Sequence, residues 1–261
     1  MLSVLISDIN KIESNFQNYK NINRIIIDSS VSSILTSAFS GLTALEYISI
    51  PSSVNMIGYH LFEGCISLKE IVIPNSITIV KNHSFHGCSS LKRVILPSTL
   101  TGIAEYSFFG CESLIQMTIP NSVQVIGQNA FEGCKNLRQI TLPNALKFLG
   151  PSAFSQCISL ESIILPPFLG NISNNAFYQC SSLAKVIIPN SVASIGEQAF
   201  SFCLSLHSII IPNSVTSISN FAFSCCESLT SVSLPSKLAA IRYGTFYDCN
   251  KLSEINIPEF V

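Results

Sequence analysis

Leu45-Glu-Tyr-Ile-Ser-Ile-Pro-Ser-Ser-Val-Asn-Met-Ile-Gly-Tyr-His-Leu-Phe-Glu-Gly-Cys65 is the stretch that the rest of the chain copies, varied but in step, every 23 residues. Prolines keep the step from Pro51 through Pro74, Pro97 and Pro120 to Pro258, cysteines from Cys65 to Cys249, and phenylalanines from Phe39 to Phe246. A period of this length is the mark of a solenoid, in which one supersecondary unit stacks on the next and buries a continuous core.

Within the unit, Ile48 and Ile50 are two apart and share one face of a strand. Pro51 has no N–H to give a ladder and a fixed φ, so it ends the strand and opens a turn. Small polar residues follow, as in Asn75-Ser76 and Asn121-Ser122, of the kind that bond backbone in turns. Val54 and Ile57 predict a second, very short strand on the opposite side, and Gly58, Gly127, Gly150 and Gly196 mark a further turn. Ala130-Phe131 and its copies predict a tight helical turn whose ring fills the interior. The cysteine and the next leucine close the coil. Stacked at about 4.8 Å per coil, the strand spacing of a sheet, eleven coils give a parallel sheet on a rod on the order of 50 Å long.

Residues 1–21 read as a worn unit, a degenerate N-terminal cap, with Leu2 and Val4 in strand register, Phe16 in the Phe column, and Ile9 and Ile12 slipped by one. Residues 22–261 are the solenoid proper. It stops mid-unit at Pro258-Glu-Phe-Val261, an uncapped strand edge from which truncation, or a covering partner or self-association, is expected.

Composition narrows the functional classes. Charged residues are 11% and the formal net charge is −1, which gives no basic footprint for nucleic acid and no polybasic membrane patch. No apolar run approaches the 18 residues of a spanning helix, so no membrane insertion is expected. Met1-Leu-Ser-Val-Leu-Ile-Ser-Asp8 lacks the positive region of a secretory signal, and on sequence alone the chain reads as cytoplasmic. Nine of the ten cysteines occupy one repeat position, with Cys225 beside it. Adjacent coils bring such cysteines within disulfide range, but stacked side chains point in parallel, and a column of buried free thiols is the favoured reading. Asn82-His-Ser and Asn171-Ile-Ser are glycosylation sequons that read as chance matches in turns.

Other chemistry is thin. No C-x-x-C pair, phosphate loop or nucleophile elbow is present. His60 and His83 share one repeat position and His86 lies one turn away, so three imidazoles could meet a metal. Their partner positions, however, are Tyr106 and Asn129, and surface turn histidines without metal are the favoured reading. No cofactor and no enzymatic activity are expected. The competing alternative is an enzyme whose site is assembled from scattered turn residues.

The motif L-x-x-I-x-I-P-x-S-[VIL]-x-x-I-G-x-x-A-F-x-G-C, with Pro189-Asn-Ser-Val-Ala-Ser-Ile-Gly-Glu-Gln-Ala-Phe200 as a near-consensus copy, resembles the BspA-like leucine-rich repeats, the 23-residue cysteine-containing class. The resemblance covers residues 22–258. It implies a right-handed leucine-rich-repeat solenoid, mostly β, with a concave parallel sheet, very short convex strands and a single helical turn per coil. It also implies a cell-surface, antigen-like protein that binds proteins, host extracellular matrix among them, and it brings no catalytic residues.

The alternation of the long strand then names the candidate binding residues. Between inward-facing positions lies an outward column containing Val72, Ile95, Thr118, Thr141, Ile164, Ile187 and Ile210, and two residues earlier a polar column containing Arg93, Gln116, Gln139 and Lys185. One reading is strand propensity alone. The other is an apolar, partner-binding strip, strongest at Ile164, Ile187 and Ile210. The expected function is a non-enzymatic adhesion module using this face, with an intracellular interaction scaffold as the alternative.

Overall fold

A computed structural model describes residues 3–6 and 21–258. The repeat becomes a coil because each unit sets a three-residue and a two-residue strand between three turn segments, as at residues 52–53, 59–64 and 66–67. In a typical long strand, a polar residue and a β-branched residue flank an apolar middle residue, and the pattern of exposure follows: outward, buried, outward. The long strands are β1 (Ser3–Ile6), β2 (Arg24–Ile27), β4 (Tyr47–Ser49), β6 (Glu70–Val72), β8 (Arg93–Ile95), β10 (Gln116–Thr118), β12 (Gln139–Thr141), β14 (Ser162–Ile164), β16 (Lys185–Ile187), β18 (Ser208–Ile210), β20 (Ser231–Ser233) and β21 (Glu254–Asn256). Across the coil run two-residue strands: β3 (Ser33–Ile34), β5 (Met56–Ile57), β7 (Ile79–Val80), β9 (Gly102–Ile103), β11 (Val125–Ile126), β13 (Phe148–Leu149), β15 (Asn171–Ile172), β17 (Ser194–Ile195) and β19 (Ser217–Ile218).

Every described strand pair is parallel. From β2 onward the pairing falls residue on residue at the 23-residue interval, as in Ser162↔Lys185 and Ile164↔Ile187. The long-strand side is laddered in short segments, β1-β2-β4, β6-β8, β10-β12, β14-β16 and β18-β20-β21, rather than as one unbroken sheet. A third row of hydrogen bonds joins the turns between coils. Phe62 N donates to Ser84 O at 2.7 Å and Phe131 N to Ala153 O at 2.8 Å. Main-chain groups that the three-residue strands leave over are thus satisfied by neighbouring coils.

The turns explain the motif letter by letter. After each proline, an i→i+3 bond closes the chain, Val54 N donating to Pro51 O at 3.1 Å. The serine that follows reaches one coil back: Ser53 Oγ donates to Val31 O at 2.8 Å and Ser191 Oγ to Leu169 O at 2.8 Å. The glycine of Ile57-Gly58 is needed for close approach, not for unusual φ. A Cβ on Gly58 would lie 2.2 Å from the backbone N of Thr36, and one on Gly127 would lie 2.6 Å from that of Glu105. Among the described residues the segment around each Ala-Phe forms hydrogen-bonded turns and no helix. It is bracketed by left-handed residues, His60 and Gly64 on one coil, Asn129 and Gly133 on another, and a residue at positive φ interrupts helical propagation.

The core is a set of columns. Ten phenylalanines from Phe39 to Phe246 stack nearly parallel, with ring centroids 5.1 to 5.7 Å apart. Beside them the cysteines are free thiols. Each register thiol donates to the carbonyl of a phenylalanine on the preceding coil: Cys134 Sγ to Phe108 O at 3.2 Å, Cys157 Sγ to Phe131 O at 3.2 Å. Burial pushes the seven register thiols from Cys65 to Cys203 up, Cys65 and Cys134 to about 12.

The first strand corrects one expectation. Val4 pairs with Ile25 and Ile6 with Ile27, two residues out of the register expected from Leu2 and Val4. The offset between paired residues is therefore 21 here, against 23 in the coils that follow, and β1 still joins the sheet in parallel. Ile9, Ile12 and Phe16 lie outside the described residues.

Candidate functional site

The outward columns of the long strands lie where alternation puts them. Val72, Ile95, Thr118, Thr141, Ile164, Ile187, Ile210, Arg93, Gln116, Gln139 and Lys185 are all exposed. Strand pairing sets them in two rows. Val72 pairs with Ile95, Thr118 with Thr141, and Ile164 with Ile187, while Gln116 pairs with Gln139 and Ser162 with Lys185. The apolar row is exposed on three successive coils at Ile164 (67%), Ile187 (43%) and Ile210 (75%).

Open depressions mould this face, and two of them lie along the middle of the apolar row. One, of about 770 Å³, is lined by Arg93, Ile95, Gln116, Thr118, Gln139 and Thr141. The other, of about 740 Å³, is lined by Lys185, Ile187, Ser208, Ile210 and Ser233. Val72 and Ile164 line neither of them, and Ile164 stands as a ridge between the two. At the start of the face, the Arg24 guanidinium lies 4.3 Å from the Tyr47 ring centroid. The arrangement is a broad ribbed surface with an apolar spine and a polar flank. It suits an extended or knobbed macromolecular contact and does not converge acid, base and nucleophile on one point.

The opposite face holds a row that the sequence reading passed over. Met56, Ile79, Val125 and Phe148 are exposed on β5, β7, β11 and β13, with Gly102 leaving a notch between Ile79 and Val125. The signal was available: an apolar residue recurs immediately before the buried Ile57-type position.

Around the turns that follow the short strands, aromatic side chains form a second ladder outside the core. His60 stacks on His83 with centroids 4.6 Å apart, and His83 on Tyr106 at 4.7 Å. His86 stacks on Phe109 at 4.9 Å. Left-handed backbone at His60 and His83 suits histidine, which with Asn and Asp enters that region more readily than most residues. Glu63 ties the group together, its two carboxylate oxygens 2.7 Å from His60 Nδ1 and 3.4 Å from His86 Nδ1. Among the described residues no helix is long and apolar enough to cross a membrane.

Comparison with known proteins agrees with this geometry. The chain matches the BspA type leucine rich repeat region in six copies, over residues 9–116, 57–184 and 170–261. A leucine-rich repeat protein from Bacteroides ovatus is 37% identical with a TM-score of 0.79, covering 85% of this chain. The chain spans only 57% of that protein's length. A leucine rich cell surface protein from Faecalibacterium prausnitzii is 27% identical over 96% of this chain and 82% of its own, with a TM-score of 0.53. The pneumococcal vaccine antigen PcpA shares the fold at 20% identity and a TM-score of 0.61, over 91% of this chain and 69% of its own. No curated protein matches the chain. With its repeat matched almost end to end, the chain belongs to the BspA-type leucine-rich-repeat family.

Proposed function

We propose that the chain is a non-enzymatic adhesion module that binds a protein partner through its long-strand face, and that the partner is displayed outside the cell, host extracellular matrix being the leading class. The observation that carries this is the exposed run Ile164, Ile187 and Ile210 on adjacent strands. Isolated exposed apolar residues are ordinary, but a contiguous strip flanked by polar residues has the anatomy of an interface centre and its rim. The face runs along β14, β16 and β18 at strand spacing, so a partner crossing three coils would span about 10 Å of apolar spine. A surface role is supported by the F. prausnitzii cell surface protein, which is similar over nearly the whole of this chain.

The test is a binding titration of the purified chain against a panel of purified matrix proteins, with a thermal melt of each variant. A triple Ile164/Ile187/Ile210→Lys variant places charge in the centre of the strip and should melt like the parent but lose binding. A matched Ser162/Lys185/Ser208→Ala variant should bind nearly as before. A lysine variant that melts normally and binds normally would leave the strip as strand propensity only. Saturable binding to no matrix protein would remove the adhesive reading.

A further inference from the structure

We propose that His60, Glu63 and His83 form a binding site for a divalent late-transition metal ion of the zinc class, clipping two successive coils together on the turn side of the solenoid. One ligand atom from each of the three residues lies within 4.8 Å of the other two. Ligand atoms around a tetrahedral zinc, with bonds near 2.0–2.1 Å, sit about 3.3 Å apart. The donors must therefore close by no more than roughly 1.5 Å. His60 and Glu63 are at the surface with side chains about one-third exposed, at 37% and 35%, so small side-chain rotations suffice and the coil backbone stays in place.

Three independent features make the cluster more than crowded turn residues. First, among the described residues His83 Nδ1 is buried with no hydrogen-bond partner, an unsatisfied acceptor or donor of the kind that calls for an unplaced ligand. Second, the two imidazoles come from successive coils and are held side by side, His60 stacking on His83 with ring centroids 4.6 Å apart. Third, the carboxylate has a partner on its far side. Glu63 Oε1 is 3.4 Å from His86 Nδ1, so His86 can orient the ligating carboxylate from behind, as outer-shell groups do in metal sites.

The donor set selects the ion. Two imidazole nitrogens and one carboxylate oxygen suit zinc and its late-transition neighbours, whereas calcium and magnesium prefer all-oxygen shells. On binding at His60 Nδ1, the ion replaces the hydrogen bond to Glu63 Oε2 at 2.7 Å; a neutral imidazole then carries its proton on Nε2, and an imidazolium releases one proton to solvent. Spacing in the sequence hides the site: the residue that completes it is Glu63, three positions after His60, and not a third repeat-register histidine. The same turn three coils further has the carboxylate without the imidazoles. There Glu132 accepts from Asn129 Nδ2 and Ser155 Oγ, which makes Asn129 a matched control.

The experiment uses untagged full chain in a non-metal-binding reductant, titrated with zinc against a chromophoric chelator, with cobalt as a spectroscopic stand-in. The expected result is one equivalent of zinc per chain. Binding should be weaker by about tenfold or more in His60→Ala/His83→Ala and in Glu63→Gln, and unchanged in Asn129→Ala. Cobalt should give visible d–d bands without a near-ultraviolet thiolate band, and zinc should raise the melting temperature of the parent but not of the double variant. Glu63→Gln keeps the shape of the turn and so reads the site even if the double variant folds poorly. The proposal is overturned if no stoichiometric binding saturates, if the variants bind like the parent, or if a thiolate band appears and disappears in Cys225→Ser.

Discussion

Raising the pH should unfold this protein through its thiol column. Cys65, Cys88, Cys111, Cys134, Cys157, Cys180 and Cys203 are buried, and burial lifts all seven above the ordinary value of 9.0. The folded value is the higher one, so the native state holds protons that the unfolded chain gives up. The stabilisation is fully present below about pH 9 and is lost as pH rises toward about 12, the level of Cys65 and Cys134. Each such thiol removes about 1.4 kcal/mol per pH unit across that window. Seven together remove on the order of 10 kcal/mol per unit, comparable with the roughly 5–15 kcal/mol that holds a typical domain folded. Cooperative alkaline unfolding is therefore expected within about two pH units above 9. The assay is urea denaturation followed by circular dichroism at a series of pH values under reductant, since the chain has no tryptophan. A Cys111/Cys134/Cys157→Ser variant isolates the cause. Serine retains a hydroxyl to donate to the carbonyls of Phe85, Phe108 and Phe131 but does not ionise. Its alkaline slope should be shallower than the parent's by about 4 kcal/mol per pH unit. Equal slopes in parent and variant would refute the reasoning.

Other expectations follow from the same columns. Phe131→Ala, in the middle of the ring stack, should cost about 3–5 kcal/mol in denaturant melts; a loss below about 1 kcal/mol would mean that the stack is not the core. At neutral pH a thiol reagent should modify the half-exposed Cys225 in the native protein and the buried register cysteines only after unfolding, read by mass spectrometry. Gly127→Ala should destabilise by about 1–3 kcal/mol, because the new methyl meets the Glu105 backbone of the preceding coil; a neutral result would show that the coils can separate there.

Much of this architecture is legible in the sequence because a repeat is a repeated measurement. A single Leu-x-x-Ile-x-Ile segment is ambiguous between strand and helix, but ten copies ending in proline are not. Alternation then fixed the outward column from Val72 to Ile210 without knowledge of any contact. What escaped the sequence is what depends on contacts between coils. The glycine of Ile57-Gly58 looks like a turn residue and is in fact demanded by the backbone of Thr36. Serines expected to bond nearby backbone instead reach the previous coil. The first strand slips by two because its unit is shorter, and only pairing reveals it. The histidine group was visible as His60 and His83, but Glu63 enters through the fold of one turn, and the unpaired Nδ1 of His83 has no sequence signature.

The central claim, that a protein partner is held on the long-strand face, is tested most directly by photocrosslinking. A benzophenone-bearing residue replaces Ile187 on one chain and Phe148 on another, the two positions being exposed on opposite faces of the coil stack. Each chain is irradiated with a matrix protein that binds the parent. The account predicts a covalent adduct from position 187 and none from position 148. An adduct from position 148 with none from position 187 would contradict it and move the binding surface to the row formed by Met56, Ile79, Val125 and Phe148.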